Sequence, residues 1–214
     1  MTGGAGSVED ARRNWPRRLH SISGIVPIGA FLAFHLWTNA SAVDGADAYN
    51  AAARRVQQVP LAVVWEIFLI GLPIFFHGIY GFYLAATESP GRAGRTPARR
   101  ALAVFQRVTG AAAFAFILFH LWTARLVQLH DHGNLDLFRL MQASLASPWI
   151  RAAYTAGILA AAGHFSAGVW TFCETWGLLP ESRARYAVAL ASAGVFFLLA
   201  GLGLKSLSAF RLPL

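Results

Sequence analysis

Four histidines lie in the middle of long apolar stretches, one in each of the first four hydrophobic segments: His35, His77, His120 and His164. An ionisable side chain is costly inside a membrane, so a residue of this kind indicates a functional site by default. Imidazole is a common metal ligand, and haem iron is often held by an axial imidazole. Metal ligation, most simply of haem iron, is therefore our prediction; hydrogen-bonded core residues and proton carriers are the alternatives.

The histidines match in pairs. The sequence Phe-His-Leu-Trp-Thr at residues 34–38 recurs residue for residue at 119–123, whereas His77 and His164 share the pattern His-x-x-x-Gly-x-aromatic. Ser23-Gly24 likewise has a counterpart in Thr109-Gly110. These matches indicate a two-helix unit duplicated in the same orientation, and two metal centres with two imidazoles each.

Composition places the chain in a membrane. The 214 residues are 56% hydrophobic and only 13% charged, whereas soluble domains carry about a quarter charged residues. The net charge of +8 then signals loop orientation and lipid contact rather than nucleic acid. Cys173 is the only cysteine, which excludes an intrachain disulfide, a cysteine-ligated iron–sulfur cluster and a Cys-x-x-Cys-His haem attachment.

Five apolar runs are long enough to cross a bilayer, which takes about 20 residues. They lie at roughly 22–42, 61–87, 102–127, 148–174 and 186–210. The connections at 43–60 and 128–147 are expected to be short amphipathic or irregular segments. We predict an all-α, multi-pass membrane protein in which residues 1–214 form one domain of five transmembrane helices. We expect no cleavable signal peptide, because the first 20 residues are polar.

Basic residues predict the orientation, since they concentrate on the cytoplasmic side. One side carries Arg12, Arg13, Arg17, Arg18, Arg92, Arg95, Arg99, Arg100, Arg107, Arg183 and Arg185. The other carries Arg54, Arg55, Arg125, Arg139, Arg151, Lys205 and Arg211. The bias predicts a cytoplasmic N-terminus.

At about 1.5 Å of rise per residue, His77 and His164 then lie near the cytoplasmic face and His35 and His120 near the outer face. We call these the inner pair and the outer pair. Two stacked haems with two imidazoles each are the predicted result, and such six-coordinate iron moves electrons rather than binding substrate. Small residues near the pairs would let a flat macrocycle approach, although they equally allow close helix packing. They are Gly29, Ala30, Gly78, Gly81, Ala112, Ala113, Gly163, Ala167 and Gly168.

Several motifs together resemble a known family. They are the run Arg17-Arg18-Leu19-His20-Ser21-x-x-Gly24, the four histidines, Gln106-Arg107-Val108-Thr109-Gly110 and His164-Phe165-Ser166. In this combination the chain resembles the dihaem cytochrome b subunit of succinate dehydrogenases and fumarate reductases, of the type with a single five-helix anchor. The resemblance covers about residues 12–210.

The resemblance implies two haem b groups, with the inner haem on His77 and His164 and the outer haem on His35 and His120. It also implies a flavoprotein subunit and an iron–sulfur subunit on the cytoplasmic face of the cell (inner) membrane. Electrons from succinate would pass through both haems to a quinone, with menaquinone expected, linking the tricarboxylic acid cycle to the respiratory chain. The chain has no flavin or dicarboxylate site, so alone it would not oxidise succinate.

Two other classes stay open at this point. One is the cytochrome b anchor of another quinone-linked enzyme, such as a formate dehydrogenase or hydrogenase. The other is a proton-coupled carrier that uses the histidines as relays.

A few further residues are candidates for the site. His20 and Ser21 could contact the iron–sulfur partner, a propionate of the inner haem or a quinone headgroup. Arg18 and Arg107 could pair with propionates, since guanidinium binds carboxylates in a bidentate manner. Glu66 could exchange protons at an outer quinone site, be a structural hydrogen-bond partner, or pair with an arginine on the outer side. His130 and His132 are interpreted as solvated loop histidines.

Overall fold

The computed structural model describes residues 15–87, 96–126, 136–179 and 182–211, and within these ranges the chain is helical without any strand. Among the described residues, five helices are long and apolar enough to cross a membrane: α1 (Trp15–Asp44), α3 (Ala62–Thr87), α4 (Pro97–Ala124), α6 (Pro148–Thr175) and α7 (Ser182–Ala209). Two shorter helices, α2 (Ala46–Gln57) and α5 (Leu137–Leu145), lie in the two connections. The prediction of an all-α protein with five spanning helices is confirmed.

Three of the helices start before the apolar runs that predicted them. Helix α1 is already helical at Trp15, the first described residue and seven residues before the predicted start at 22, and α4 and α7 also begin a few residues early. Hydropathy marks where a helix enters hydrocarbon, whereas arginine, alanine and leucine continue a helix into the interface because their helix propensity is high.

Local signals fix several helix starts. Thr96 accepts a hydrogen bond from the backbone N–H of Arg99, and Pro97 follows it in the first turn of α4, the usual arrangement at a helix N-terminus. Asp136 caps α5 through the backbone N–H of Arg139 and accepts a second bond, 2.7 Å long, from the Asn50 side chain on α2. The hydrogen bond from Asn50 holds the pKa of the Asp136 carboxyl below its usual range. Asn50 thereby ties α2 to α5.

Four of the spanning helices form the bundle that positions the histidines. Helix α1 contacts α3 and α6, and α4 contacts the same two helices, so α1 lies across from α4 and α3 lies across from α6. Helix α7 packs outside this ring, against α6 and α1. Because successive spans alternate in direction, each diagonal joins two parallel helices. One histidine pair falls on each diagonal.

A π-helical turn keeps the two repeats in step. His35 follows Gly24 by eleven residues, whereas His120 follows Gly110 by ten. Helix α1 contains a π segment, Gly24–Ile28, with Pro27 inside it, whereas α4 is regular α-helix from Pro97 to His120. A π turn holds one residue more than an α turn, so the extra residue of α1 is absorbed before His35. Both members of the outer pair therefore keep corresponding positions along their helices.

The larger of two buried clusters lies at the end of the bundle that carries α2 and α5. Leu145 is fully buried there and packs with Ala42, Met141, Tyr154, Leu207 and Phe210. Arg151 joins the same region by donating to the backbone carbonyls of Leu145 and Phe210. Large apolar side chains elsewhere, such as Phe68, Phe75 and Phe197, are mostly exposed on the helix surfaces, as expected where lipid is the solvent.

Candidate functional site

The structure brings together the two histidine pairs that the repeat predicts. The rings of His77 on α3 and His164 on α6 have centroids 6.0 Å apart and planes 82° from parallel. The rings of His35 on α1 and His120 on α4 have centroids 5.7 Å apart and planes 71° from parallel. Each pair therefore faces across one diagonal of the bundle.

The two pairs occupy separate layers. The inner pair lies level with the first turns of α1, because His77 contacts His20, Ser23 and Gly24. His35 lies eleven residues beyond Gly24 along α1, which corresponds to about 16 Å at 1.5 Å per residue. The outer pair is consequently near the end that carries α2 and α5.

Both members of the inner pair are held by a backbone carbonyl of the preceding spanning helix, within the same repeat unit. The Nδ1–H of His77 donates to the carbonyl of His20 at 3.0 Å, and the Nδ1–H of His164 donates to the carbonyl of Gln106 at 3.0 Å. A protonated Nδ1 leaves the Nε2 lone pair of each ring free, and metal-bound histidines usually have this arrangement.

Glycine is required where each inner imidazole meets the adjacent helix. A Cβ added at Gly24 would lie 2.5 Å from Cε1 of His77, and one added at Gly110 would lie 2.7 Å from Cε1 of His164. Both distances are too short for real contacts, so a methyl group at either position would displace the ring. The repeated Ser-Gly and Thr-Gly pairs of the sequence thus have a structural reason.

The repeated His-x-x-x-Gly pattern also has a structural reason. Gly81 lies under the His20 side chain, with an added Cβ 3.2 Å from its Nε2, and Gly168 lies under the Gln106 side chain, at 3.6 Å from its Nε2. The His20 ring stacks on the His77 ring at 4.0 Å and 10°. Gln106 is a site residue that reasoning from residue type missed. The available signal was that His20 and Gln106 each lie four residues before the glycine of the repeated Ser-Gly and Thr-Gly pairs.

The other small residues around the pairs face side chains. An added Cβ at Gly29 would overlap the ring of Phe165, and one at Gly78 would overlap the ring of Phe114. Gly163 lies against Phe105 in the same way. These contacts are those of close helix packing, the second of the two interpretations given above.

His120 in the outer pair ends a chain of polar contacts. Its Nδ1 lies 3.2 Å from the hydroxyl of Tyr154, which lies 2.9 Å from Oγ1 of Thr123. Thr123 in turn donates to the carbonyl of Phe119, so the chain runs from imidazole N–H to phenol to threonine to backbone. Tyr154 is almost fully buried.

His35 is contacted differently. The side-chain amide of Asn39 donates to the carbonyl of His35 at 2.7 Å and lies 3.3 Å from its Nε2. The hydroxyl of Tyr49 donates to Oδ1 of Asn39 at 3.1 Å, and burial raises the pKa of Tyr49 to about 12, so this phenol keeps its proton. Ligation through Nε2 of His35 requires the 3.3 Å contact with Asn39 to open.

An aromatic ring four residues earlier stacks on each histidine of the outer pair. Phe31 lies over His35 at 5.3 Å, and Phe116 lies over His120 at 5.8 Å. The repeat therefore extends to Phe-x-x-Phe-His-Leu-Trp-Thr, three residues further than the five-residue identity first noted.

Two of the remaining candidates contact Trp176. Arg18 lies over the Trp176 ring at 5.2 Å, and Ser21 accepts a hydrogen bond of 3.1 Å from the indole N–H of the same tryptophan. Arg107 is half-buried beside Gln106 on α4, and Glu66 opens the π segment Glu66–Gly71, eleven residues before His77. His130 and His132 lie outside the described residues, as do Arg12, Arg13, Arg92 and Arg95.

Comparison with known proteins identifies the family. Residues 91–200 match the family model described as succinate dehydrogenase/fumarate reductase transmembrane subunit. The chain is also 37% identical, over 195 residues, to the succinate dehydrogenase cytochrome b558 subunit of Bacillus subtilis (strain 168), an alignment that covers 91% of this chain and 95% of that protein. The chain belongs to the succinate dehydrogenase/fumarate reductase transmembrane subunit family. The resemblance drawn from the motifs is confirmed.

Membership assigns the five-helix bundle to a membrane subunit of a succinate dehydrogenase or fumarate reductase, and it decides against the other two classes left open by the sequence. In this transmembrane subunit, the features with the chemistry for a cofactor are the two imidazole pairs. Their spacing and their hydrogen bonds can be compared with what a metal requires.

Proposed function

We propose that this chain is the dihaem cytochrome b anchor of a succinate:quinone oxidoreductase, passing electrons between an iron–sulfur subunit and a membrane quinone. The observation that carries the proposal is the pair of facing imidazoles on each diagonal of the bundle, at 6.0 and 5.7 Å. The similarity to a succinate dehydrogenase cytochrome b558 subunit supports it.

The spacing of the rings fits one metal between each pair. Metal–imidazole nitrogen bonds are about 2.0–2.1 Å long, so two imidazoles on opposite sides of one metal have centroids roughly 6 Å apart. In three of the four histidines, Nδ1 has a backbone or tyrosine partner, which leaves Nε2 for the metal. Both features support axial ligation.

The donor set favours haem over a bare metal ion. Among the residues that the structure describes, no group of three or more histidine, cysteine, aspartate or glutamate side chains could hold a metal ion. A porphyrin brings four nitrogens of its own, so two protein ligands complete the coordination of its iron. Haem b, held without thioether bonds, is therefore the cofactor that we assign to each pair.

Haem bound at each pair would supply a one-electron carrier. The two histidines of each pair would hold the iron, and the chain places the Nδ1 of His77, His164 and His120 on a defined acceptor. Such hydrogen bonds orient the imidazole and raise its basicity. All four imidazoles are half-buried between the helices.

The partners and the quinone follow from the family and the charge distribution. We assign the end at which α1 begins to the cytoplasmic side, where the flavoprotein and iron–sulfur subunits would dock beside His20, Ser21 and Arg18. Arg18 and Arg107 are the candidates for propionate contact at that end. Glu66 lies towards the other end and is the candidate for proton exchange with a quinone, which we take to be menaquinone.

Two measurements on the purified complex test the function. A reduced-minus-oxidised visible spectrum is expected to show b-type haem, with two haems per chain by pyridine haemochrome assay. A flavin-carrying partner with succinate–quinone activity is expected to copurify. A preparation without b-type haem, or with a partner that oxidises formate or hydrogen instead, would refute the proposal.

Tyr154→Phe is expected to raise the midpoint potential of the outer haem without loss of haem. The change removes the acceptor for the Nδ1–H of His120, which makes the imidazole less basic and the ferric state less stable. A hydrogen bond of about 1 kcal/mol corresponds to roughly 40 mV for a one-electron couple, which sets the expected size of the shift. Potentiometric titration measures it, and Tyr186→Phe, at an exposed position on α7, is the control. A shift confined to the inner haem would contradict the assignment of His120 and Tyr154 to the outer haem.

A further inference from the structure

We propose that His20 and Gln106 are a matched pair of positioning residues for the inner haem, and that His20 makes its two ligands inequivalent. Each residue acts twice, through its main-chain carbonyl and through its side chain. The inference rests on the proposed function, because it takes His77 and His164 to be the ligands.

The His20 side fixes both the position and the plane of one ring. Its carbonyl accepts the Nδ1–H of His77 at 3.0 Å, and its own ring lies 4.0 Å from that imidazole, only 10° from parallel. Ser23 adds its hydroxyl, which donates to the same carbonyl at 2.8 Å and lies 3.2 Å from Nδ1. A ring with a stacked neighbour on its face cannot turn about its Cβ–Cγ bond without displacing that neighbour.

The Gln106 side fixes the position of the other ring by the same backbone contact. Its carbonyl accepts the Nδ1–H of His164 at 3.0 Å, and Gly110 lies against Cε1 of that ring. The Gln106 amide extends over Gly168 as the His20 ring extends over Gly81. An amide, however, offers no aromatic face to stack on His164. The two inner imidazoles, 82° apart in plane, are thus held by unequal means.

Both side chains contain a buried polar atom that has no partner in the described part of the chain. Of the described residues, only three have a buried side-chain nitrogen or oxygen atom without a partner, and two of these atoms are Nε2 of His20 and Oε1 of Gln106. A buried polar atom without a partner is destabilising, and a leucine or phenylalanine would fill the same space without that cost. Polar side chains at both repeat-related positions therefore indicate a role at the metal centre rather than in helix packing.

The repeat supplies the test, because each residue can be replaced by its counterpart. His20→Gln leaves the backbone carbonyl in place and gives the α1 side an amide, whereas Gln106→His gives the α4 side a ring. Low-spin ferric EPR responds to the angle between axial imidazole planes, and redox titration reports the potential of each haem. Both are recorded on the intact complex, with the outer haem as an internal reference.

His20→Gln and His20→Ala are expected to retain both haems and to shift the EPR position and the potential of the inner haem. Gln106→His is expected to shift the inner signal as well, and the outer signal is expected to stay at its wild-type position in all three. An unchanged inner signal in both His20 variants would overturn the inference. So would equal shifts of the two haems, which indicate a general structural effect, or loss of the inner haem from His20→Gln, whose carbonyl is intact.

A matched pair of glycine substitutions tests the positioning role of His20 and Gln106 without changing either of these residues. Gly81→Ala places a methyl group 3.2 Å from Nε2 of His20 and is expected to displace the stacked ring and shift the inner signal. Gly168→Ala places one at 3.6 Å from the Gln106 amide, an ordinary contact, and is expected to leave the signal unchanged. Identical behaviour of the two variants would overturn the inference. A wild-type complex without two bis-imidazole signals would refute the proposed function instead.

Discussion

Replacing His77 with alanine is expected to remove the low-spin signal of the inner haem and to leave that of the outer haem at its wild-type level. The physical reason is that each iron depends on two imidazoles from one diagonal of the bundle, and His77 contributes only to the diagonal between α3 and α6. Haem content should fall from two to about one per chain. Pyridine haemochrome assay and low-temperature difference spectra of the purified complex measure this.

The reciprocal variant is the control. His120→Ala, on the other diagonal, is expected to remove the outer signal and to preserve the inner one. A protein in which either substitution abolished both signals while the complex remained assembled would contradict two independent centres.

Gly24→Ala and Gly110→Ala are expected to affect the inner haem nearly as strongly as His77→Ala, although neither glycine can bind a metal. Each added methyl group would overlap an inner imidazole, at 2.5 and 2.7 Å, and the ring cannot retreat without breaking its Nδ1–H bond to the His20 or Gln106 carbonyl. We expect loss or strong displacement of the inner haem signal, with the outer signal retained. The measurement is again haem content together with EPR.

Gly201→Ala and Gly194→Ala on α7 provide matched controls, because an added Cβ there meets nothing within 4 Å. They are expected to assemble with two haems. If the α7 variants lost haem as readily as the Gly24 and Gly110 variants, general intolerance of the helices to alanine would explain the result.

The sequence predicted the spans and the pairing of the histidines because both depend on regularities that a single chain displays. An apolar run of bilayer length requires a helix, and an internal repeat places matched residues at matched depths. His35 and His120 could thus be paired before any distance was known, as could His77 and His164. The same logic predicted segments between the spans correctly, since α2 and α5 occupy them.

The surroundings of the rings could not be predicted to the same extent. A backbone carbonyl accepts a proton whatever side chain it carries, so nothing in the residue types of His20 and Gln106 revealed that their carbonyls hold His77 and His164. The role of Tyr154 was hidden for another reason, since it lies on α6, 34 positions after His120, in a region without a repeated motif. Arg18 and Ser21 were chosen for their charge and polarity, yet both contact Trp176.

The one-residue difference between the repeats shows a further limit of prediction from the sequence. Counting from Gly24 and Gly110 places His35 and His120 one residue out of step, which on two regular helices would turn one ring by about 100° from its partner. The π segment at Gly24–Ile28 removes this offset. Sequence offers only Pro27 as a sign of irregular backbone there, and a proline does not by itself specify a π turn.

The most direct test of the two-centre account is the haem content of two double variants. His77→Ala with His164→Ala removes both ligands of one centre, so the outer haem is expected to remain at its wild-type level, as in either single variant. His35→Ala with His77→Ala removes one ligand from each centre and is expected to leave no low-spin haem. The opposite pattern, with both haems lost from the first double variant and one retained in the second, would contradict the pairing of His77 with His164 and of His35 with His120.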